Sequence, residues 1–327
     1  MKTNYRYVSF VSCAVLALIM LAACGRSAAK RTDGPLARAD MNVALFTMSA
    51  SGEFWSTVMN GAGEAGREFG VKYTINGPAT ESSFEQQIKM TEDAITKGAN
   101  AICIAVCDAD ALVPTLESAA AKGIKIVLFN TTSSYEGETF IATDNFIAGQ
   151  MAGKVLSEVL NHTGKYACLG SAETVESNRA RCDGVNDYIG KNTSTMELVD
   201  VRYCANDLQR GMAIVNDWIT STPDIAGIFS NNDVTTTAVA NVLRERGLIG
   251  KIAHVGFDAT ETNVVYLEEN ITNAIITQDA YDIGYQSIKA AVTLLEGGTV
   301  EKNIATNVAV VTKNNLNDPD IRKILNF

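Results

Sequence analysis

From Met41 onward, short apolar, β-branched runs alternate with longer stretches whose apolar residues recur near every 3.6 positions. That alternation restricts the chain to an α/β fold. The strand candidates are Val43–Thr47, Val71–Ile75, Ala101–Val106, Lys125–Phe129 and Phe140–Ala142, then Tyr166–Leu169, Leu198–Tyr203, Gly227–Phe229, Ile252–Gly256 and Ala274–Thr277. Helical patterns fill most gaps, among them Phe54–Phe69, Phe84–Lys97, Asn145–Leu160 and Ile283–Leu295. Phe69-Gly70 and Lys122-Gly123 read as helix ends with glycine just past them. Such units build parallel sheets covered by helices on both faces. Roughly ten of them are too many for one doubly wound sheet, so two similar lobes are expected. The natural division is near Thr143-Asp144, after a strand that no helix precedes. Ligands of doubly wound sheets sit beyond the carboxyl ends of the strands, so two lobes facing each other there enclose a cleft.

The N-terminus has a different character. Lys2 and Arg6 precede an apolar run from Val8 to Ala22, broken only by Ser9 and Ser12, and small residues follow. This is the pattern of an export signal. The run has 15 residues, short of the roughly 20 needed to span a bilayer. Leu21-Ala22-Ala23-Cys24 resembles the lipobox of bacterial lipoproteins, which implies removal of residues 1–23 and lipidation of Cys24. The protein is therefore expected outside the cytoplasmic membrane, in the periplasm or at the cell surface, held by a lipid anchor. Residues 24–40 are polar and aperiodic and read as a flexible tether. The formal net charge of −10 becomes −12 once Lys2 and Arg6 are lost. An acidic surface of that size argues against nucleic acid as a partner.

Beyond Cys13 and Cys24, five cysteines remain: Cys103, Cys107, Cys168, Cys182 and Cys204. An odd number in an exported chain is not a disulfide framework. Cys103 and Cys107 fall in one apolar run, on one face of an expected strand and about 13 Å apart at its rise per residue, too far for a bridge. They read as small core residues, and Cys168 with Cys182 is the one candidate disulfide, as a surface pair.

One catalytic pattern occurs literally in the chain. Gly61-Ala62-Gly63-Glu64-Ala65-Gly66 satisfies the dinucleotide fingerprint literally, but its first glycine lies some 14 residues after the end of the preceding strand candidate. A pyrophosphate site needs that glycine at the strand end. The glycines instead sit within a helical pattern, where small residues let a helix pack close to a sheet. The chain has no Walker loop, no G-x-S-x-G elbow, and only two histidines, His162 and His254, far apart in sequence. No metal, no cofactor and no catalytic residue set is expected, and His254, inside a strand candidate, reads as core.

Polar residues do close several strand candidates. Asn130 follows Val127-Leu128-Phe129, Asn232-Asp233 follows Ile228-Phe229-Ser230, Asp258 follows Val255-Gly256-Phe257, and Gln278 follows Ile275-Ile276-Thr277. Carboxylates and amides in these places give and accept bonds to hydroxyls. Asp233 and Asp258 also precede helical patterns and fit the alternative role of N-cap.

With these residues in view, the chain resembles the ribose-binding proteins of the type I, cluster B periplasmic binding family. The markers are Phe54-Trp55, Ala142-Thr143-Asp144-Asn145, Arg179-Ala180-Arg181-Cys182-Asp183-Gly184, Asn231-Asn232-Asp233, Val255-Gly256-Phe257-Asp258 and Gln278. The resemblance runs from Met41 to Lys313. It implies two Rossmann-like, doubly wound parallel-sheet lobes joined by three hinge strands near Thr143-Asp144, Gln278-Asp279 and Thr306-Asn307. The lobes would comprise 41–143 plus 279–306 and 144–278 plus 307–327. It implies Phe54 and Trp55 as aromatic walls, the alternative being that they anchor their helix in the core. It implies Arg181, Asn232, Asp258 and Gln278 as partners of sugar hydroxyls. The family's Asp-Arg pair corresponds to Asn130-Thr131 here, its asparagine before the aromatic pair to Gly52, and an aromatic of the second lobe to Asn206. With Glu53 or Asn206 supplying replacement contacts, another pentose, a hexose, a polyol or a cyclitol fits at least as well as ribose.

The expected function is that of a monomeric, lipid-anchored solute-binding protein that closes on a sugar or polyol and delivers it to the permease of an ABC importer. The alternative is a sensor whose closed form engages a chemoreceptor or histidine kinase. A transcription regulator of this fold would need a helix-turn-helix before the first strand, and an enzyme would need a nucleophile–base pair or metal set. The sequence offers neither.

Overall fold

The computed structural model describes residues Leu36–Asn326. The expected signal segment, Cys13, the expected lipidation site Cys24 and most of the expected tether lie outside the described residues. Arg38–Asp40, at the end of that tether, form a turn of 3-10 helix, and Arg38 Nε bonds Glu296 Oε1 at 2.6 Å.

The first sheet holds β1 (Asn42–Phe46), β2 (Lys72–Asn76), β3 (Ala101–Ile104), β4 (Lys125–Phe129), β5 (Thr139–Ala142) and β11 (Asn303–Ala305), in the order β11-β5-β4-β3-β1-β2. All of its pairs are parallel. The second holds β6 (Gly164–Gly170), β7 (Met196–Tyr203), β8 (Ile225–Ser230), β9 (Ala253–Phe257), β10 (Ala274–Gln278) and β12 (Val308–Val311), in the order β12-β10-β9-β8-β6-β7. Only β12, paired with β10, is antiparallel. The chain thus forms two α/β lobes and passes between them after β5, after β10 and between β11 and β12. At the passages Thr143 and Thr306 join hydroxyls at 3.2 Å. The strands β11 and β12 are only three and four residues long, and sequence reading did not mark them.

Helices cover both faces, as near-continuous apolar strands demand. In β1, Val43 and Leu45 face one core with α1 (Glu53–Phe69) and α9 (Ala280–Leu295), while Ala44 and Phe46 face a second with α2 (Phe84–Thr96) and α3 (Val113–Ala121). The second lobe repeats the scheme. Cys168 and Phe229 pack on α4 (Asn145–Val159) and α5 (Glu176–Asn192); Leu169 and Ile228 pack on α6 (Leu208–Ser221) and α7 (Asp233–Glu245). Two further helices, α8 (Glu261–Glu268) and α10 (Pro319–Leu325), complete the chain.

The glycines of the Gly61–Gly66 stretch lie inside α1: Gly66 serves the helix–sheet contact expected, a Cβ there meeting the Tyr73 ring of β2 at 2.3 Å, while Gly61 serves a helix–helix contact. A Cβ on Gly61 would sit 2.0 Å from the Tyr281 carbonyl oxygen of α9, and one on Gly284 of α9 would sit 1.9 Å from that of Val58. In the second lobe α4 and α5 use the same device: a Cβ on Gly149 would meet the Arg181 oxygen at 2.2 Å, and one on Gly184 that of Phe146 at 2.2 Å.

The cysteines need two corrections. β3 ends at Ile104, so Cys107 lies beyond the strand rather than on one face of it with Cys103; their thiols donate to Met48 O at 3.5 Å and Ser287 O at 3.3 Å respectively. Cys168 and Cys182 are free and fully buried, not a surface pair.

His254 sits in the core of the second lobe, between the Ser230 hydroxyl at 2.8 Å and that of Thr272 at 2.9 Å. Burial pushes its pKa from 6.5 down to about 3. Because the unfolded chain takes up this proton first, its contribution to stability is full above pH 6.5 and falls as pH drops towards 3. The loss is about 1.4 kcal/mol per pH unit, so about 2 kcal/mol by pH 5. Thermal unfolding of wild type and His254→Gln at pH 7.5 and pH 5 is expected to show a smaller pH shift in the variant. Equal shifts would remove His254 from the acid response.

Candidate functional site

The carboxyl ends of both sheets point into one cleft, and each side chain there is placed by the strand or helix that ends beside it. After β1 the chain turns through Gly52, whose φ of 103° suits glycine, and starts α1 with Glu53, Phe54 and Trp55. The two rings meet edge to face, 4.9 Å apart at 78°. Trp55 Nε1 donates to Glu81 Oε1 at 2.9 Å, which fixes the indole and brings an acid from the loop between β2 and α2 into the site. The buried Gln87 of α2 ties the loops together: its amide nitrogen donates to Thr47 O and Ala105 O, and its oxygen accepts from Cys107 N at 2.9 Å.

The second lobe has its own version of that tie. Asn231 accepts from Ser171 N at 2.9 Å and donates to Asn178 O at 2.9 Å. Beside it, Arg181 of α5 is almost wholly buried. Its Nε donates to Asn145 Oδ1 at 2.8 Å, its Nη1 donates to Asn231 O at 2.9 Å, and its guanidinium lies 3.9 Å from the centroid of Phe257. Asp258 Oδ2 is 3.9 Å from Arg181 Nη1, and Asp258 Oδ1 accepts from Gln278 Nε2 at 2.9 Å. Since a carboxylate only accepts, this bond orients the Gln278 amide and leaves its Oε1 buried without a partner.

The two lobes also place a left-handed residue at matching strand ends. Asn130 (φ 62°) donates its N–H to Ile141 O, and Asp258 (φ 63°) donates its own to Ile276 O, both at 2.8 Å. Each costs on the order of 1 kcal/mol or more, and such strain gathers at ligand sites.

Of the residues singled out in the sequence, Phe54, Trp55, Asn130, Arg181, Asn232, Asp258 and Gln278 line one cavity of about 30 Å³. That space admits a water, so a sugar requires the lobes or side chains to shift. Asn206 stands apart in the wider outer cleft, where its Oδ1 accepts from Ser171 and from Asn232 Nδ2. Asn232 is largely spent on structure: its Oδ1 accepts from Thr235 N at 2.9 Å in a capping box. The N-cap roles considered for Asp233 and Asp258 fall instead to Asn232 and to Thr260, which caps α8. Glu53 does not reach the cavity; it accepts from Thr262 N at 3.2 Å and from the Thr262 hydroxyl, joining the two lobes at the rim.

Sequence reading missed Glu81 as a site residue and named Asp233 among the polar strand ends, with N-cap as its alternative role, without carrying it into the set of hydroxyl partners. Both line the same cavity. Glu81 has no pattern around it, being in a polar loop, and only the indole reveals it. Burial raises the pKa of Asp258 despite Arg181, and it raises that of Glu81 against the Trp55 bond. Burial, helped by Asp258 and Glu81, pushes Asp233 up to about 7. Burial likewise lowers that of Arg181, which remains a cation. Among the described residues no three His, Cys, Asp or Glu are grouped to hold a metal ion, and no helix is long and apolar enough to cross a membrane.

Two α/β lobes, linked by three strand passages and meeting at an aromatic-walled, charged cleft, define a type I two-lobed binding protein. The chain belongs to the periplasmic binding protein domain family, whose match spans residues 43–299. It is similar to the ribose import binding protein of Bacillus subtilis, at 23% identity over 84% of this chain and 88% of that one. It is similar as well to the D-ribose/D-allose-binding protein of Pseudomonas aeruginosa, at 24% over 83% and 88%. Among solved structures, an Agrobacterium vitis ABC transporter solute-binding protein with bound D-fucose matches at 29% identity and TM-score 0.83, over 87% of this chain and 99% of that one. An Agrobacterium radiobacter carbohydrate transporter solute-binding protein with D-arabinose matches at 26% and TM-score 0.84, over 88% and 100%.

Proposed function

We propose that this chain is a monomeric, lipid-anchored extracytoplasmic solute-binding protein that captures a sugar or polyol without altering it and passes it to an ABC importer. The reading rests on one observation above all: Phe54, Trp55 and Asn130 of one lobe converge with Arg181, Asp258 and Gln278 of the other on a single cavity. Ring faces cover the C–H surface of a sugar, while the guanidinium, carboxylate and amide grip its hydroxyls. Contacts from both lobes exist together only when the lobes are shut, so a ligand shifts the population towards the closed form that a permease reads. Cys24, as the first mature residue, carries the anchor.

Thermal-shift screening of the mature domain against pentoses, hexoses, polyols and cyclitols is the test. A ligand that binds only the native state raises Tm, by about 2.7 kcal/mol of stability at a hundredfold excess over Kd. A flat response to every member of the set and to their amino derivatives would reject the reading. Replacement of Cys24 by serine is expected to release the protein from membranes, read by fractionation.

A further inference from the structure

The charges in the inner cavity do not balance. Three carboxylates, Glu81, Asp233 and Asp258, line it with a single cation, Arg181, while Arg202 and Arg210 line the wider outer cleft that Glu81 and Asp233 also border. Asp258 is the one set against Arg181, at 3.9 Å. Among the described residues no salt bridge joins Glu81 or Asp233 to a Lys, Arg or His, and Arg181 acts on both at longer range. Each of these two acids has one oxygen engaged, Glu81 by Trp55 Nε1 at 2.9 Å and Asp233 by Val234 N at 2.9 Å, which leaves the second oxygen of each free to accept. The free Asp233 Oδ2 faces the opposite lobe: a Cβ built on Gly52 would lie 4.0 Å from it and 3.9 Å from Trp55 Cδ1. A second observation is independent of the charges. Gln278 Oε1, in the same cavity and buried, accepts from nothing and so awaits a donor.

We propose that the natural ligand carries a protonated primary amine, as an amino sugar or aminopolyol, with its ammonium held between Glu81 of one lobe and Asp233 of the other. This deepens the solute-binding reading and rests on it. Neutral hydroxyls bring donors but no charge, and they leave the ionised forms of two partly buried acids at the cost that raises both of their pKa values. An ammonium brings three donors and the missing positive charge. Because the two acids belong to different lobes, their mutual repulsion resists closure, and a cation between them turns it into attraction. Ligand charge thereby becomes part of the closing device.

The test is titration calorimetry at pH 7 on the full-length protein in detergent, with matched trios: glucosamine, glucose and N-acetylglucosamine; galactosamine, galactose and N-acetylgalactosamine; an inosamine, inositol and its N-acetyl derivative. In at least one trio the free amine is expected to bind at least about tenfold more tightly than both neutral members, the scale of one charge-assisted bond. Glu81→Gln and Asp233→Asn are each expected to shrink that ratio. A neutral member that binds as tightly as its amine, or an amine preference that survives both substitutions, would overturn the proposal and leave the solute-binding reading standing. Binding by no member of any trio, nor by the wider neutral set above, would overturn both.

Discussion

Asp258→Ala is expected to weaken ligand binding by about two to three orders of magnitude while the chain still unfolds cooperatively. Truncating one member of a buried, hydrogen-bonded charge pair costs about 2–5 kcal/mol of binding. Here it also strips Gln278 Nε2 of its acceptor and Arg181 of the carboxylate 3.9 Å from it. The fold loses less. Arg181 keeps Asn145, the Asn231 carbonyl and the Phe257 ring. Holding the Asp258 carboxylate in the protein is itself unfavourable, as its raised pKa indicates. Calorimetric titration with the strongest ligand from the screen, beside a thermal melt, separates the two effects. Wild-type affinity in the variant would mean that the ligand sits elsewhere.

The second large effect concerns stability. Gly284→Ala is expected to destabilise the first lobe by about 3 kcal/mol, the upper part of the usual range for overpacking. The new methyl would lie 1.9 Å from the Val58 carbonyl oxygen and 3.0 Å from the Ala62 nitrogen, both backbone atoms of α1, so relief requires two long helices to separate. The intrinsic helix preference of alanine, about 1 kcal/mol over glycine, does not offset this. Gly190 of α5 provides the contrast, because a Cβ there meets nothing within 4 Å. Gly190→Ala should leave stability unchanged or raise it by up to about 1 kcal/mol. Urea unfolding of both variants checks the pair, and equal midpoints would contradict the close helix packing. Separation of α1 would also move Phe54 and Trp55, so a loss of binding is expected alongside the loss of stability.

Where the sequence was legible, a periodic burial pattern lay behind it. The ten β-branched runs became strands, the inner ones covered on both faces, as Val43–Phe46 illustrates, and the edge strands β2 and β7 left partly open. The strand ends at Asn130, Asp258 and Gln278 announced the cleft for the same reason, since a polar residue that closes an apolar run has to face something other than the core. What stayed hidden depends on contacts distant in sequence. Glu81 enters the site only because Trp55 donates to it. The cap considered for Asp233 falls to Asn232, a matter of which side chain reaches Thr235 N, and both residues line the cavity. The glycines of α1 look like a phosphate loop in one dimension; α9, more than two hundred residues later in the chain, shows what the missing side chain of Gly61 makes room for, and Tyr73 of β2 shows it for Gly66.

Small-angle scattering of the purified protein, with and without a saturating amount of its tightest ligand, tests hinge closure most directly. A fall in the radius of gyration at one equivalent, with the ligand recovered chemically intact, is the predicted result. An unchanged profile while calorimetry shows the ligand bound, or recovery of a converted product, would contradict it.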